Sequence, residues 1–449
     1  MASFKVMIAL MTQVRILPRD EGPIGWETGL PPRTPKPQLE GEMHTEWAVL
    51  GAGFTGLAAA RRLAQARPDD RIAVVDALEV GDGASGRNSG FAIDHAHTLG
   101  GGAAVEENAR GQKRLYTAAI NQLHGIVEQN KISCDWRVMG KIHAAVSARG
   151  ADKYLCPLLD ELDHIGEEHE WLDRAAIKDI TGMAHYEAGI YTPGTALLNP
   201  VALVRGLADT LPSNVKLYER SPVTGIERGD RITLVSDKGR IVVRKLVVAG
   251  NAYLPALGFA PNRLMPFVAF ASLSASMTEA QRAALGGKDT WGLTPANAFV
   301  APTLRRTGDH RILFREQIIY RPELSIGKRE LTKVRERHKK LFAERFPMLE
   351  DLELAHTWGG YLCLSRNQDS LFGPLGDHVW ATGGFQGNGV TRGTAAGTLL
   401  ADLAMGLDNP LLDDMMRIAR PPENPPRPFF DVGIFLRTAW EAWAERDEK

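Results

Sequence analysis

The stretch EWAVLGAGFTGLAAARRLAQA, residues 46–66, constrains this chain more than any other. A short apolar strand enters a glycine turn, Gly51, Gly53 and Gly56 in G-x-G-x-x-G spacing, and leaves it as an alanine-rich helix with apolar positions at helical intervals. Each glycine has a task in such a unit: a tight turn out of the strand, close approach of backbone to pyrophosphate, and close packing of helix on strand. Phosphate then rests on the free N–H groups and positive dipole end of the helix, where Phe54 and Thr55 stand. RIAVVDA, residues 71–77, supplies a second apolar strand ending in Asp76, placed where a carboxylate accepts hydrogen bonds from an adenosine ribose. Strand, turn, helix, strand and acid in this order predict a dinucleotide site for NAD or FAD.

The next segment of the chain separates the two cofactors. A nicotinamide enzyme continues with further strand and helix, whereas this chain runs into GDGASGRNSGFAIDHAH, residues 81–97. Glycines at 81, 83, 86 and 90 exclude a stable helix or core strand there. A backbone that loose suits wrapping along a long ligand, with Ser85 and Asn88 as hydrogen-bond partners and Arg87 as a cation near phosphate or carboxylate. FAD is such a ligand.

At this point the chain resembles the FAD-dependent oxidoreductases of the D-amino-acid oxidase, glycine oxidase and sarcosine oxidase type. GASGRNSG, residues 83–90, is most similar to an element of the gamma-glutamylputrescine oxidase branch. LLNPVALVRGLADTLPSNVKLYERSPVTGIERG (197–229), KLVVAGNAY (245–253), RRTGDHRILFRE (305–316) and WGGYLCLSRNQDSLFGPLGDHVWATGGFQGNGV (358–390) resemble further family segments in the family's order. The resemblance implies FAD contacts from Ala84, Ser85, Gly86, Arg87, Asn88 and Ser89, from the backbone around Val223 near adenine, and from Gly250. It implies others near the flavin from Gly384, Gly387, Asn388, Gly389, Val390 and Thr391. Independently, VWATGG reads as a strand entering a second glycine turn, and VTRGTAAGTLLADLAMG as a helix rich in small residues. Amides at that helix N-terminus would stabilise negative charge on a reduced flavin.

The departures are informative. Some members attach FAD through a cysteine, and Gly360 stands in that place, so FAD is expected to be noncovalent and Cys363 a packed strand residue. Asn388 stands where the family often has histidine, and no counterpart of the oxygen-activating lysine is visible in RLMPFVAFASLSAS. Relatives commonly place two glycines where this chain has Arg315 and Glu316. Arg315 is therefore a candidate to hold a substrate carboxylate or phosphonate and Glu316 an ammonium, the alternative being a mutual ion pair or an exposed strand end. His95 and His97 follow the glycine loop and are candidates to face the site; Tyr361, beside Trp358, is a candidate pocket wall.

The expected fold is α/β (α+β), a Rossmann-like FAD-binding domain interleaved with an antiparallel-sheet substrate domain. The expected segments are 43–104, 198–262 and 355–410 for FAD and 105–197 and 263–354 for substrate, with an extended N-terminal arm at 1–42 and a C-terminal tail at 411–449. A chain of 449 residues favours two domains. The proline-rich residues 18–40 read as an arm on the surface or disordered. With 53 basic and 54 acidic residues the net charge of −1 gives no reason to expect nucleic acid or an anionic membrane. No apolar run reaches membrane-spanning length. The short run FKVMIALM lacks an A-x-A cleavage site after it, and three scattered cysteines suit a reducing compartment, so a cytoplasmic enzyme without a metal site is expected.

The resemblance implies oxidation of a small amine or amino acid: hydride passes from the carbon alpha to nitrogen to flavin N5, the imine hydrolyses, and O2 reoxidises the flavin to give H2O2. A dehydrogenase of an amine or 2-hydroxy acid using another electron acceptor, and a noncatalytic FAD-binding subunit, are the alternatives. The sequence names neither the substrate's chirality, nor a base, nor the oligomeric state.

Overall fold

The computed structural model describes residues 10–19, 21–95, 103–418 and 421–448, with side chains from 107 in the second helix. His97 and most of FKVMIALM lie outside the described residues. In chain order the strands are β1 Leu10–Gln13, β2 Gly41–Leu50, β3 Ile72–Val75, β4 Phe91–Ala92, β5 Arg137–Val138, β6 Lys141–Ala145, β7 Glu170–Asp173, β8 Ala188–Thr192, β9 Ala196–Leu197 and β10 Val215–Tyr218. The remainder are β11 Val223–Arg228, β12 Ile232–Ser236, β13 Gly239–Val248, β14 Met265–Leu273, β15 Trp291–Pro295, β16 Thr303–Arg306, β17 Ile312–Tyr320, β18 His356–Leu364, β19 Leu371–Pro374 and β20 Val379–Gly383. Six helices matter for the site: α1 Phe54–Ala66, α2 Ala103–Asn130, α3 Pro200–Asp209, α4 Lys328–Arg345, α5 Thr391–Met405 and α6 Phe429–Ala444.

Two large sheets result. The first has the order β1-β11-β12-β13-β2-β3-β10, with β20 also on β13 and β19 on β20. Its centre, β20, β13, β2, β3 and β10, is parallel, as strands joined through crossover helices must be. The apolar runs AVL of β2 and IAVV of β3 are buried on both faces, which is why they lack alternation. The second sheet runs β18-β14-β17-β16-β15-β6-β8-β7 and is antiparallel except at β15/β6. Its strands alternate. Ile142, Leu293, Leu304 and Phe314, cross-strand neighbours, face one core with Phe342 of α4, and the opposite face looks toward the glycine loop.

Two expectations change here. β18 pairs with β14 along its whole length, so residues 356–364 belong to the second sheet although they fall within the 355–410 segment expected for FAD binding. Over its described residues the arm is part of the packed fold. β1 extends the edge of the first sheet, and Ile24, Trp26 and Leu39 are buried. Prolines keep residues 30–40 from forming regular structure, but the arm's few large apolar side chains still find a core.

Candidate active site

The two glycine turns lie at adjoining helix ends. α1 and α5 pack at their first turns, where a Cβ on Gly393 would stand 2.8 Å from Thr55 Oγ1 and one on Gly397 would overlap the Thr55 carbonyl. Only glycine permits so close an approach of helix backbones. Neither N-cap residue, Gly53 or Val390, caps its helix with its own side chain, which leaves first-turn amides other than Phe54 N and Arg392 N for a ligand. Thr391, in the first turn of α5, is fully buried with Oγ1 lacking a hydrogen-bond partner. Gly83, Gly387 and Gly389 face open space in which a Cβ would meet nothing; φ +83° accounts for glycine at Gly387, while neither packing nor a positive φ requires it at Gly83 and Gly389. Orphaned donors, two uncapped helix ends and open glycine backbone fit the phosphates and ring carbonyls of a dinucleotide cofactor.

Gly51 has φ +107° and Gly53 lies so near Ser85 that a Cβ would be 2.6 Å from its Oγ. Ser85 Oγ accepts from Phe54 N at 3.0 Å and joins the early turn to the loop 81–90. Asp76 Oδ2 accepts from Ala52 N at 2.6 Å and Oδ1 from Leu78 N at 2.9 Å. A carboxylate has about four acceptor positions, so room for ribose hydroxyls remains. Burial pushes this carboxyl above its ordinary range. The loop repeats the architecture of the first turn: Gly81, Gly83 and Gly86 are also spaced G-x-G-x-x-G, Gly81 has φ +106°, and a Cβ on Gly86 would overlap Gly81 O just as one on Gly56 would overlap Gly51 O. That second copy of the spacing is a signal carried in the sequence itself.

Other predicted contacts have mainly structural partners. Arg87 donates to the carbonyls of Asp82 at 2.6 Å, Gly22 at 2.7 Å and Gly359 at 3.3 Å, binding the loop to the arm and to β18. Asn88 donates to Ser85 O at 2.7 Å and accepts from Gly90 N at 2.9 Å, which fixes the loop from within. Ala84 and Ser89 lie on the same loop, Ala84 exposed. Val223 begins β11 and is buried, Gly250 lies two residues past β13 at the start of a short 3-10 turn, and Gly384 N donates to Asn251 Oδ1 at 3.0 Å. Val390 is buried behind Asn388, whose carbonyl accepts from Arg392 N.

The candidate catalytic residues are separated by strand alternation. Arg315 is opposite Ala271 of β14, and Glu316 is opposite Phe270, so their side chains leave opposite faces. Glu316 is buried against α4, where Arg337 donates to both its oxygens at 2.7 and 3.0 Å. It is therefore neither an ammonium ligand beside Arg315 nor its ion-pair partner. Tyr361, opposite Val268, shares the Glu316 face; its ring meets Tyr253 and its hydroxyl donates to Glu21 of the arm at 2.9 Å. A cleft of about 430 Å³ between β17 and α4, lined by Arg329, Lys333 and Arg337, lies on that face too and away from the glycine loop.

Arg315 alone of the three stands on the face toward the loop. Its Nη2 donates to Thr303 Oγ1 at 2.5 Å, and its Nη1 is buried without a hydrogen-bond partner. Burial lowers its pKa to about 10, leaving it cationic at neutral pH. Arg305 on the neighbouring strand reaches Gly90 O at 2.9 Å and so ties sheet to loop. His95 is buried three strands away, roughly 14 Å across the sheet, beside Lys141 and His143 of β6. Burial lowers His95 to about 4 and Lys141 to about 8. Asp94 next to it pairs with Lys113 at 2.9 Å. Thr303, Lys141 and the arm residues Glu21 and Trp26 are additions of the structure; only Trp26, a lone tryptophan among prolines, carries a sequence signal for docking. Cys134 and Cys363 are buried, with burial pushing both thiols up to about 12, whereas Cys156 is exposed. Among the described residues no metal-ligand cluster occurs and no helix is long and apolar enough to cross a membrane.

Comparison with known proteins agrees with this geometry. The chain is 27% identical over 436 residues to a probable oxidoreductase, OrdL, of Rhizobium meliloti (strain 1021), covering 94% of this chain and 97% of that protein. It is 26% identical over 375 residues to gamma-glutamylputrescine oxidoreductase of Escherichia coli (strain K12), covering 80% and 83%. Among solved structures, glycine oxidase from Geobacillus kaustophilus superposes with a TM-score of 0.67 at 19% identity, over 82% of this chain and 96% of that one. L-amino acid deaminase from Proteus vulgaris gives 0.66 at 14%, over 85% and 98%. Residues 46–403 match the family model described as FAD dependent oxidoreductase, DAO. With both glycine turns inside that span, the chain belongs to the DAO family of FAD-dependent oxidoreductases, and its cofactor is FAD.

Proposed function

We propose that this enzyme oxidises a small amine or amino acid carrying an anionic group, with O2 as the electron acceptor and H2O2 as the second product. The named activities of its relatives, on gamma-glutamylputrescine, glycine and L-amino acids, support the amine class. The observation that carries the choice of substrate is Arg315, a buried guanidinium held by Thr303 with one nitrogen unpartnered on the loop-facing side of the second sheet.

FAD, when bound, supplies the two-electron acceptor. Gly51, Gly53, Ser85 and Asp76 would hold its adenosine diphosphate half and the N-terminal turn of α5, with Gly387, Gly389 and Thr391, its ring end. Arg315 binds the substrate carboxylate and fixes the amine's orientation, which supplies rate by holding the reacting atoms in place. Burial of the guanidinium nitrogen Nη1 limits access of water and strengthens that charge pairing. The amine loses two electrons and two protons to become an imine, which water hydrolyses. No base is required where the amine binds neutral.

Anaerobic mixing of the FAD-loaded protein with a panel of amines, amino acids and 2-hydroxy acids tests the reading. Bleaching of flavin absorbance by anionic amines, followed by peroxide release on admitting air, is the expected result. Bleaching by hydroxy acids alone, or by nothing in the panel, would overturn it.

A further inference from the structure

The C-terminal helix is amphipathic in the wrong sense. α6 turns its acids inward: Asp431 accepts from Tyr320 OH at 3.0 Å, Glu441 from Asn297 Nδ2 at 3.2 Å, and Glu445 pairs with Lys153 at 2.5 Å. Just beyond the helix, Glu448 accepts from the amides of Val146 and Ser147, each at 3.0 Å. Only Phe430 and Ile434 of its large apolar residues join a core, that of Phe267, Tyr320 and Leu362 on the Arg315 side of the second sheet. Phe429, Val432, Phe435, Leu436, Trp440 and Trp443 are instead 55–78% exposed, and they are half of all the exposed large hydrophobic side chains among the described residues.

An apolar face of this size has a cost in water that needs an occupant. The six side chains leave on the order of 700 Å² of apolar surface exposed, above the few hundred Å² of the largest patch on a typical monomer. Charge identifies what fits. The rim of the apolar face is set by Arg427, Arg437 and Arg446. Arg427 shares Asp431 at 2.7 Å and Arg437 shares Glu441 at 3.8 Å, but the acids lie inward at 26% and 20% exposure while the two arginine side chains stand outermost at 62% and 72%. Arg437 and Arg446 lie 5.6 and 5.2 Å over the rings of Trp440 and Trp443. A second copy docking here through a two-fold axis would bring these arginine rims together, at an electrostatic penalty. An anionic lipid surface instead receives tryptophan and phenylalanine at headgroup depth and arginine at the phosphates.

We infer that α6 is an interfacial docking helix that seats the enzyme on an anionic lipid surface, flat along its length of about 24 Å. The whole chain's net charge of −1 conceals this, because the cations are local. The docked side adjoins the sheet face that carries Arg315, and the inference does not depend on which amine is oxidised.

Full-length, FAD-loaded protein is sedimented with vesicles of phosphatidylcholine alone and with vesicles in which about one lipid in three is phosphatidylglycerol. The expected result is about tenfold stronger partition onto the anionic vesicles, weakening as salt is raised. Replacing Phe435, Trp440 and Trp443 together by Ser should cut binding by about tenfold or more at unchanged flavin absorbance. If that variant fails to fold, Arg437→Glu with Arg446→Glu decides: it should keep its flavin and lose the preference for anionic lipid. Wild-type protein that stays in the supernatant with both vesicles overturns the inference. So does a lipid-free dimer that the serine variant converts to monomer, which would make a second copy the occupant.

Discussion

Gly397 of α5 lies directly against the carbonyl of Thr55 in α1, with no space for a methyl group between them. With Gly393 against Thr55 Oγ1, that contact holds the N-terminal halves of two helices separated by most of the chain side by side. Gly397→Ala should force them apart at a cost of about 1–3 kcal/mol, in the range of overpacked cores. Flavin content should fall with the melting temperature; a variant with full flavin absorbance would show that the helices need not touch for FAD to bind.

Gly53→Val acts at the turn itself. Its side chain would collide with Ser85 Oγ and displace the hydroxyl that accepts from Phe54 N. The purified variant should be colourless with its fold retained by circular dichroism. Full retention of FAD would refute the pyrophosphate assignment.

Arg315→Ala should raise KM for anionic amines by about tenfold to a hundredfold, the worth of about 1.5–3 kcal/mol for a charge-assisted pair. FAD content should not change, because Arg315 touches none of the cradle. Neutral amines should be affected far less, and equal losses for charged and neutral substrates would remove Arg315 from the substrate's binding site.

Trp26 is buried and donates through Nε1 to Asn88 O at 2.8 Å, while Gly22 O accepts from Arg87. Trp26→Ala should cost about 3–5 kcal/mol as a large core truncation and should also loosen the loop 81–90. The check is FAD dissociation during gel filtration: stability lost without any gain in FAD release would limit the arm to a packing role.

Three buried histidines give the stability a defined pH response. Burial lowers His95 to about 4, His338 to about 3, and His143 well below its ordinary value. As pH falls below 6.5 the unfolded chain takes up protons that the native state refuses, so stability must fall, by up to about 1.4 kcal/mol per pH unit for each histidine. The loss runs from about 6.5 down to the folded values. Urea midpoints between pH 7.5 and 4 should decline accordingly, and His338→Gln should remove one proton's share of the slope. A flat profile would mean that these side chains are hydrated.

The cofactor half of this molecule is legible in the sequence because turns obey local rules. The strand, G-x-G-x-x-G turn, helix and acid of residues 46–76 are all short-range features, and so is the later turn at 383–391. Legibility ends wherever a side chain's direction depends on a partner strand. Arg315 and Glu316 look like a pair in RILFRE, yet β17 sends one toward the loop and one toward α4, and which goes where is set by register with β14. The same dependence hides the direction of Tyr361. Residues 18–40 look unstructured because their composition is that of an arm, while the surfaces that receive Trp26 and Gly25 come from Val201, Leu273 and Trp358, hundreds of residues later. Lys141 gives no signal, since a lone lysine before an apolar strand is normally solvated.

The arm's placement has a consequence for how the chain is made. Thr28 bonds His356, 328 positions downstream, and Gly25 rests on Trp358. The arm is thus made well before its seat, because that seat is built by β14 and β18. Contacts of such long sequence separation form slowly. Until β18 has been made, the loop 81–90 lacks its clasp from Trp26, and its final seating waits on residues 356–364.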